Sequence, residues 1–133
     1  MKPYALNAGE GTRYDYGIPH LIKLGETAGR GAAIFELDTC AGEEPPLHTH
    51  RTEDEVFYVL SGEITFHCDG QDFPLSAGGF MFLPKGLPHG YAIARGQRAK
   101  LLVIAFPTRE SADTWGGYAN DVETQGTLLD QPK

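Results

Sequence analysis

The sequence predicts an all-β fold, and three observations carry that prediction. Short apolar–polar alternations recur along the middle of the chain, turn residues interrupt them every eight or so positions, and no segment there sustains a helical period. Such a pattern describes short antiparallel strands closed into a barrel or stacked as a sandwich. At 133 residues a single domain is expected, with roughly two-thirds of the unfolded surface buried on folding. Within it we read an N-terminal arm and edge strand over 1–31, a barrel core over 32–107, and a short helix or tail over 108–133.

Residues 1–19 are rich in Gly, Pro and Tyr and have no sustained period. Gly9-Glu10-Gly11-Thr12 lacks the third glycine and the preceding strand of a nucleotide loop. His20 to Leu24 reads as a short edge strand and Gly25 to Gly31 as a turn. Ala32 to Thr39 then alternates, with Ala33, Phe35 and Leu37 on one face and Glu36 and Asp38 on the other. Pro45 and Pro46 stiffen the approach to His48-Thr49-His50 and exclude a helix there. Glu55–Leu60, Glu63–Cys68 and Gln71–Leu75 come next as strands, parted by Ser61-Gly62 and Asp69-Gly70. Asp-Gly between alternating runs is a strong hairpin signal. Gly79–Leu83 ends at Pro84-Lys85-Gly86-Leu87-Pro88, and His89–Ala94 turns through Arg95-Gly96-Gln97 into Ala99–Phe106, the most apolar run. Beyond Pro107 the composition turns polar. Thr108 is placed as the cap of a short helix through Thr114, and Thr124–Lys133 as a loose tail.

Eleven basic against eighteen acidic residues give a formal charge of −7, which argues against nucleic acid or an anionic membrane as partner. The start has no apolar core of signal-peptide length, and no stretch approaches a membrane span. Cys40 and Cys68 read as buried free thiols, so the expected location is cytoplasmic.

The chemistry concentrates in His48, His50 and the acidic residues just after them. In a strand, residues i and i+2 share a side, so the two imidazoles can converge on one point. A carboxylate from Glu53, Asp54 or Glu55 can join them; strand parity does not choose, because a turn separates all three from His50. His89 stands just after a turn, at the head of a strand, where it can face back into a barrel. Three imidazoles and a carboxylate suit a borderline first-row divalent ion. Open coordination positions would serve a substrate or O2. His20 and His67 are assigned ordinary surface or core roles.

The spacing itself resembles a known family. Gly42, five residues, His48-Thr49-His50, four residues, Glu55, six residues and Gly62 match the first signature motif of the cupin superfamily. Gly78, five residues, Pro84-Lys85-Gly86, two residues and His89 match the second, with Ile93 standing where the family has Asn. Fifteen residues separate the motifs, as in small single-domain cupins. This resemblance implies a jelly-roll β-barrel of two antiparallel sheets and selects Glu55 by register. It implies one metal ion on His48, His50, Glu55 and His89: Mn, Fe, Co, Ni, Cu or Zn.

The texture around both motifs is most similar to the quercetin dioxygenase-like monocupins. That similarity implies a dioxygenase cleaving a flavonol-like or other enolisable aromatic compound with O2, with Glu55 as ligand and general base. Two alternatives stay open: an isomerase, cyclase or lyase in which Glu55 or Tyr91 moves a proton, and a non-enzymatic metal or small-molecule binder. For the pocket, Phe57 shares the face of Glu55, Phe66 opposes it, and Tyr91 and Ile93 follow His89 inward. Either Phe80 and Phe82 or Met81 and Leu83 face in; the aromatic pair is assigned to the pocket together with Phe35. An aromatic mouth suits a flat apolar substrate better than a phosphorylated sugar. Arg51 and Lys85 are read as solvated turn residues. A homodimer is expected from the resemblance, from the apolar Leu101–Phe106 strand, and from N-terminal residues able to lend an edge strand.

Overall fold

A computed structural model describes residues 2–25, 31–108 and 117–129. Among them the chain forms β1 (Thr12–Tyr16), β2 (Ile18–Leu24), β3 (Ala33–Cys40), β4 (Glu53–Cys68), β5 (Gln71–Ser76), β6 (Phe80–Leu83), β7 (His89–Ala92), β8 (Arg98–Pro107), α1 (Tyr118–Gln125) and β9 (Thr127–Leu128). Every strand pairing is antiparallel. One sheet runs β9-β1-β2-β3-β8-β4-β6. The second holds β5 and β7 on either side of residues 63–68 of β4. The all-β architecture is as the alternation indicated, and the two antiparallel sheets are as the resemblance implied.

β4 belongs to both sheets and organises the barrel. Glu55, Phe57 and Val59 on its first half and Ile64, Phe66 and Cys68 on its second all point into the core. Opposite them lie Phe35 and Leu37 of β3 and Leu101, Val103 and Ala105 of β8, all essentially buried. Alternate residues of a strand face opposite sides, so these period-2 runs build one contiguous core. The Asp69-Gly70 hairpin forms as expected, with φ of 51° and 75° at its central residues, the left-handed pair that a two-residue turn requires.

Ser61-Gly62 does not end a strand. The chain bends there at a bulge between Val59 and Ser61 and continues as β4. Gly62 has φ +84°, and a Cβ on it would stand 2.2 Å from the Arg98 carbonyl oxygen, so the glycine permits the bend and the close approach of β8 rather than a reversal. His20–Leu24 lies within β2, an interior strand between β1 and β3 and not an edge. The helix expected from Thr108 to Thr114 falls almost wholly outside the described residues, as do positions 26–30 of the expected turn. Thr124 ends up in α1, and Thr127–Leu128 pairs with β1 instead of trailing away. Only Ala119 and Val122 of α1 are buried, too few to announce a helical period.

Cys40 and Cys68 are both free thiols. No helix among the described residues is long and apolar enough to cross a membrane.

Candidate metal centre

The three histidines of the two motifs meet at one end of the barrel. His48 and His50 precede β4 in non-strand backbone, so their convergence does not come from a strand as the i, i+2 argument assumed. It comes from tethers. His48 and His89 exchange backbone hydrogen bonds, N–H to O at 2.9 Å and 2.8 Å, and the Gly86 amide donates to the His50 carbonyl at 2.8 Å. One ligand atom from each of His48, His50 and His89 lies within 4.8 Å of the other two.

Each ring is anchored through Nδ1. His48 Nδ1 donates to the Pro46 carbonyl at 2.8 Å and His89 Nδ1 to the Leu87 carbonyl at 3.1 Å. A carbonyl only accepts, so Nδ1 carries the proton and Nε2 is left with its lone pair. His50 Nδ1 faces the Glu53 carboxylate at 3.2 Å. Fixing the outer nitrogen so that the inner one points at a shared centre is how metal-ligating imidazoles are oriented.

Glu55 of β4, 1% exposed, supplies a carboxylate to the same centre. Its Oε1 lies 3.0 Å from His50 Nε2 and 3.4 Å from His89 Nε2. These approaches lack hydrogen-bond direction: His50 Nε2, His89 Nε2 and both Glu55 oxygens are buried with no hydrogen-bond partner. Orphaned buried polar atoms are costly. Four of them gathered in one spot fit a cation held there, and three imidazoles with a carboxylate are a suitable donor set for a first-row divalent ion. Among Glu53, Asp54 and Glu55, the structure brings Glu55 to the centre. Asp54 faces away and accepts the Lys85 amide at 2.8 Å.

Without a metal the cluster shares protons. Burial opposes a charge on His50, but the carboxylates of Glu53 and Glu55 outweigh it and raise its pKa to about 10. Burial likewise pushes Glu55 upward, yet His50 and His89 overcome it and hold the carboxyl at about 2. Burial pushes His48 below its ordinary value.

Glu53, Tyr118 and His20 complete the site. Glu53, 2% exposed, accepts the Tyr118 amide at 3.1 Å and 3.2 Å through its two oxygens. It thereby binds the N-terminus of α1, where Gly117 offers no side-chain cap. The Tyr118 ring stacks on His50 at a centroid distance of 5.9 Å, and its hydroxyl donates to His20 Nε2 at 2.7 Å. His20 Nδ1 donates to the Ile18 carbonyl at 2.7 Å, which sets that tautomer. Burial drives the Tyr118 phenol well above its usual range. Tyr118 thus packs into the cavity beside His50. His20 is a pocket residue, not a bystander. The signal for Glu53 was available, as a carboxylate three residues after a ligating histidine; nothing local signalled His20.

His20, Tyr118, Glu55 and the three histidines line a cavity of about 600 Å³, which also takes in Tyr16, Phe57, Phe66, Leu83 and Tyr91, with Glu53 standing behind His50 outside the lining. Phe57, Phe66 and Tyr91 stand where they were expected. Phe80 and Phe82 do not: they are 58% and 46% exposed on the outer face, while Met81 and Leu83 point inward. The pairing of Glu55 with Leu83 and of Phe57 with Met81 imposes that parity. Phe35 and Ile93 are core residues outside the cavity lining. The Tyr91 hydroxyl donates to Thr39 Oγ1 at 3.2 Å in a buried contact. His67 faces outward, paired with Asp72.

Replacing Glu53 by Gln removes the carboxylate behind His50. The expected result is about 10–100-fold weaker binding of zinc or manganese, read by competition with a chelator. A second readout is pH. The pKa of His50 is raised from 6.5 to about 10 on folding, so its contribution is fully present below pH 6.5 and disappears as pH rises through 10. The Tm of metal-free wild type should therefore fall between pH 7 and 10, and fall less in Glu53→Gln. Equal slopes for the two proteins would show that Glu53 does not hold the His50 proton.

A family model described as "Cupin domain" matches residues 36–105. The chain is 34% identical over 91 residues to a quercetin 2,3-dioxygenase of Bacillus subtilis, covering 67% of this chain and 27% of that protein. It is 28% identical over 89 residues to an oxalate-binding protein of Thermotoga maritima, covering 67% of this chain and 74% of that one. The chain thus spans about a quarter of the length of the quercetin dioxygenase it matches. Among solved structures, one titled a "predicted oxalate decarboxylase" of Thermotoga maritima superposes with a TM-score of 0.69 at 22% identity, over 79% of this chain and all of that one. At that identity the likeness is one of fold, and the fold is the jelly-roll barrel.

Proposed function

The chain belongs to the cupin domain family, and from its site we propose a metal-dependent dioxygenase acting on a flavonol-like or other enolisable aromatic compound. The observation that carries this reading is the pairing of a three-histidine, one-glutamate cluster, with His50, His89 and Glu55 orphaned at its centre, with an aromatic cavity of about 600 Å³. That size belongs to sites for drug-sized ligands. No Lys or Arg lines it among the described residues, whereas Glu43, Glu55 and Asp121 do. A small dianion such as oxalate finds no lysine or arginine there. A flat, weakly acidic enol finds apolar walls.

His48, His50, His89 and Glu55 would hold the ion. A redox-active divalent ion so held supplies Lewis acidity toward an enolate oxygen and an electron-transfer partner for O2. The chain's own residues do the rest. Phe57, Phe66 and Leu83 give the cavity buried apolar wall. Tyr16 and Tyr118 bring aromatic rings to the same cavity. Glu55 accepts the enol proton at a carboxylate oxygen. Its depressed pKa depends on cationic histidines; with the imidazoles neutral, as ligands must be, the ion's own charge would take over that lowering while burial opposes it, and the balance of the two sets the basicity of Glu55. Tyr91 and Tyr118 are oriented by Thr39 and His20 and serve as fixed walls.

The test is direct. Protein loaded separately with Mn, Fe, Co, Ni, Cu and Zn is incubated with quercetin while dissolved O2 and flavonol absorbance are followed together. Loss of flavonol in step with O2 uptake, with at least one metal, is the expected result. Turnover of an enolisable compound without O2 uptake would replace this reading with proton-transfer chemistry by Glu55. No turnover of any compound in a panel of enolisable aromatics would leave a binding protein.

A further inference from the structure

The cavity wall has a hydrogen-bond polarity, and a chain of three groups sets it at Tyr118. The Ile18 carbonyl can only accept, so His20 Nδ1, 2.7 Å away, carries the proton of that ring. His20 Nε2 is left with a lone pair, and the Tyr118 hydroxyl, at 2.7 Å, donates to it. His20 is 1% exposed, and burial lowers its pKa, which favours the neutral ring that this chain requires. The Tyr118 proton is thus spent on His20. What the phenol oxygen keeps for a cavity ligand is acceptor capacity alone.

The rest of the lining has the same polarity. His48 Nδ1 donates to the Pro46 carbonyl and His89 Nδ1 to the Leu87 carbonyl, while His50 Nδ1 faces Glu53. The Tyr91 hydroxyl donates to Thr39 Oγ1 at 3.2 Å. Glu43 and Asp121 add carboxylates, which only accept. Among the described residues the lining holds no Lys, Arg, Asn, Gln, Ser, Thr or Trp. Tyr16, 37% exposed, is the one further phenol. Inside it, the imidazole and phenol protons go to the protein and none is left for a ligand.

Such a wall is satisfied by a ligand that brings the protons itself. We infer that Tyr118, held by His20 as a hydrogen-bond acceptor, is a specificity-determining residue. It selects ligands with a hydroxyl besides the enol at the metal, a selection that rests on the enol-binding reading of the site and narrows it to polyhydroxylated aromatics. A carbonyl or methyl ether in that place meets the Tyr118 oxygen lone pair to lone pair, and unpaired buried acceptors weaken binding. An added hydroxyl is ordinarily a burden in an apolar cavity because it must leave water. Here its proton has a fixed partner. The Tyr118 ring stacks on His50 at 5.9 Å and packs on Phe35 at 5.0 Å, and its amide is bound by Glu53, so the acceptor is in place before a ligand arrives.

Equilibrium dialysis of the full chain loaded with zinc, which does no redox chemistry, tests this assignment. Three probes share the enol and its neighbouring carbonyl: quercetin, unsubstituted flavonol, and the tetramethyl ether of quercetin that keeps only the enol hydroxyl. The ether tests polarity, and flavonol controls for the bulk of its methyl groups. Wild type should bind quercetin ~10-fold or more tightly than either, the scale of one hydrogen bond gained and one mismatch avoided. Tyr118→Phe keeps the ring and should bring quercetin down toward flavonol, whose own affinity stays unchanged. His20→Leu frees the Tyr118 hydrogen to donate, so the ether should gain on quercetin by ~5-fold or more. A Tyr118 that is only a wall would leave both ratios as in wild type, and that result would overturn the assignment. The wild-type comparison needs no variant to fold: equal binding of quercetin and flavonol would overturn the assignment and leave the enol reading standing. Binding of none of the three probes would instead remove the enol reading, and the role of Tyr118 with it.

Discussion

Glu55→Gln is expected to abolish turnover while leaving the fold intact. Glutamine keeps the volume of a side chain that is 1% exposed, and it keeps an oxygen donor facing the histidines. What it removes is the charge and the capacity to take a proton. Loss of a general base costs about 10²–10⁴-fold in rate, so O2-coupled loss of flavonol should fall by that factor. Metal content, by elemental analysis, should fall less steeply, since His48, His50 and His89 remain with their Nδ1 anchors. Retained activity would remove Glu55 from the chemistry. Complete loss of metal along with activity would reduce its role to that of a ligand.

Phe35→Ala should cost about 3–5 kcal/mol of folding stability. Phe35 is fully buried in β3 and pairs in register with Ile22 and Val103. Against a typical total of about 5–15 kcal/mol this is a large fraction. The midpoint of urea unfolding should drop with little change in slope. The effect should also reach the site, because the Phe35 ring lies 5.0 Å from that of Tyr118 and 5.7 Å from that of His20. Alanine there leaves a hole beneath the residue that stacks on His50, so weakened metal binding should accompany the lost stability. A loss under about 1 kcal/mol would contradict the packing described for β3.

Both predictions concern residues that the sequence exposed to view, and they differ in how far the sequence went. Glu55 was selected over Glu53 and Asp54 by motif register, and the fold places it at the centre. Phe35 was assigned to the pocket wall, but it supports the wall from behind. The alternation of β3 states only that Phe35 faces inward; whether inward means cavity or core depends on what stands opposite, here Tyr118 from the other end of the chain. Phe80 and Phe82 illustrate a second limit. Four consecutive apolar residues carry no parity of their own, so only pairing with β4 decided which two turned in.

The α1 helix shows a third limit. It is short and polar, its N-cap is a glycine, and its N-terminus is held by Glu53 from 65 residues earlier. No local signal could have announced it. The same contact turned Glu53 from a rival ligand into the group that orients His50 and seats Tyr118.

By itself the sequence determined the strand periods, the Asp-Gly hairpin, and the chemical identity and spacing of three imidazoles and a carboxylate. These are local properties, written in alternation and in motif distance. The tertiary structure alone decided which face of β6 is buried, that β4 bends at Gly62 and continues, and that His20 and Tyr118 complete the cavity. Each of those depends on partners far away in the chain, because burial is settled by what packs against a residue and not by the residue itself.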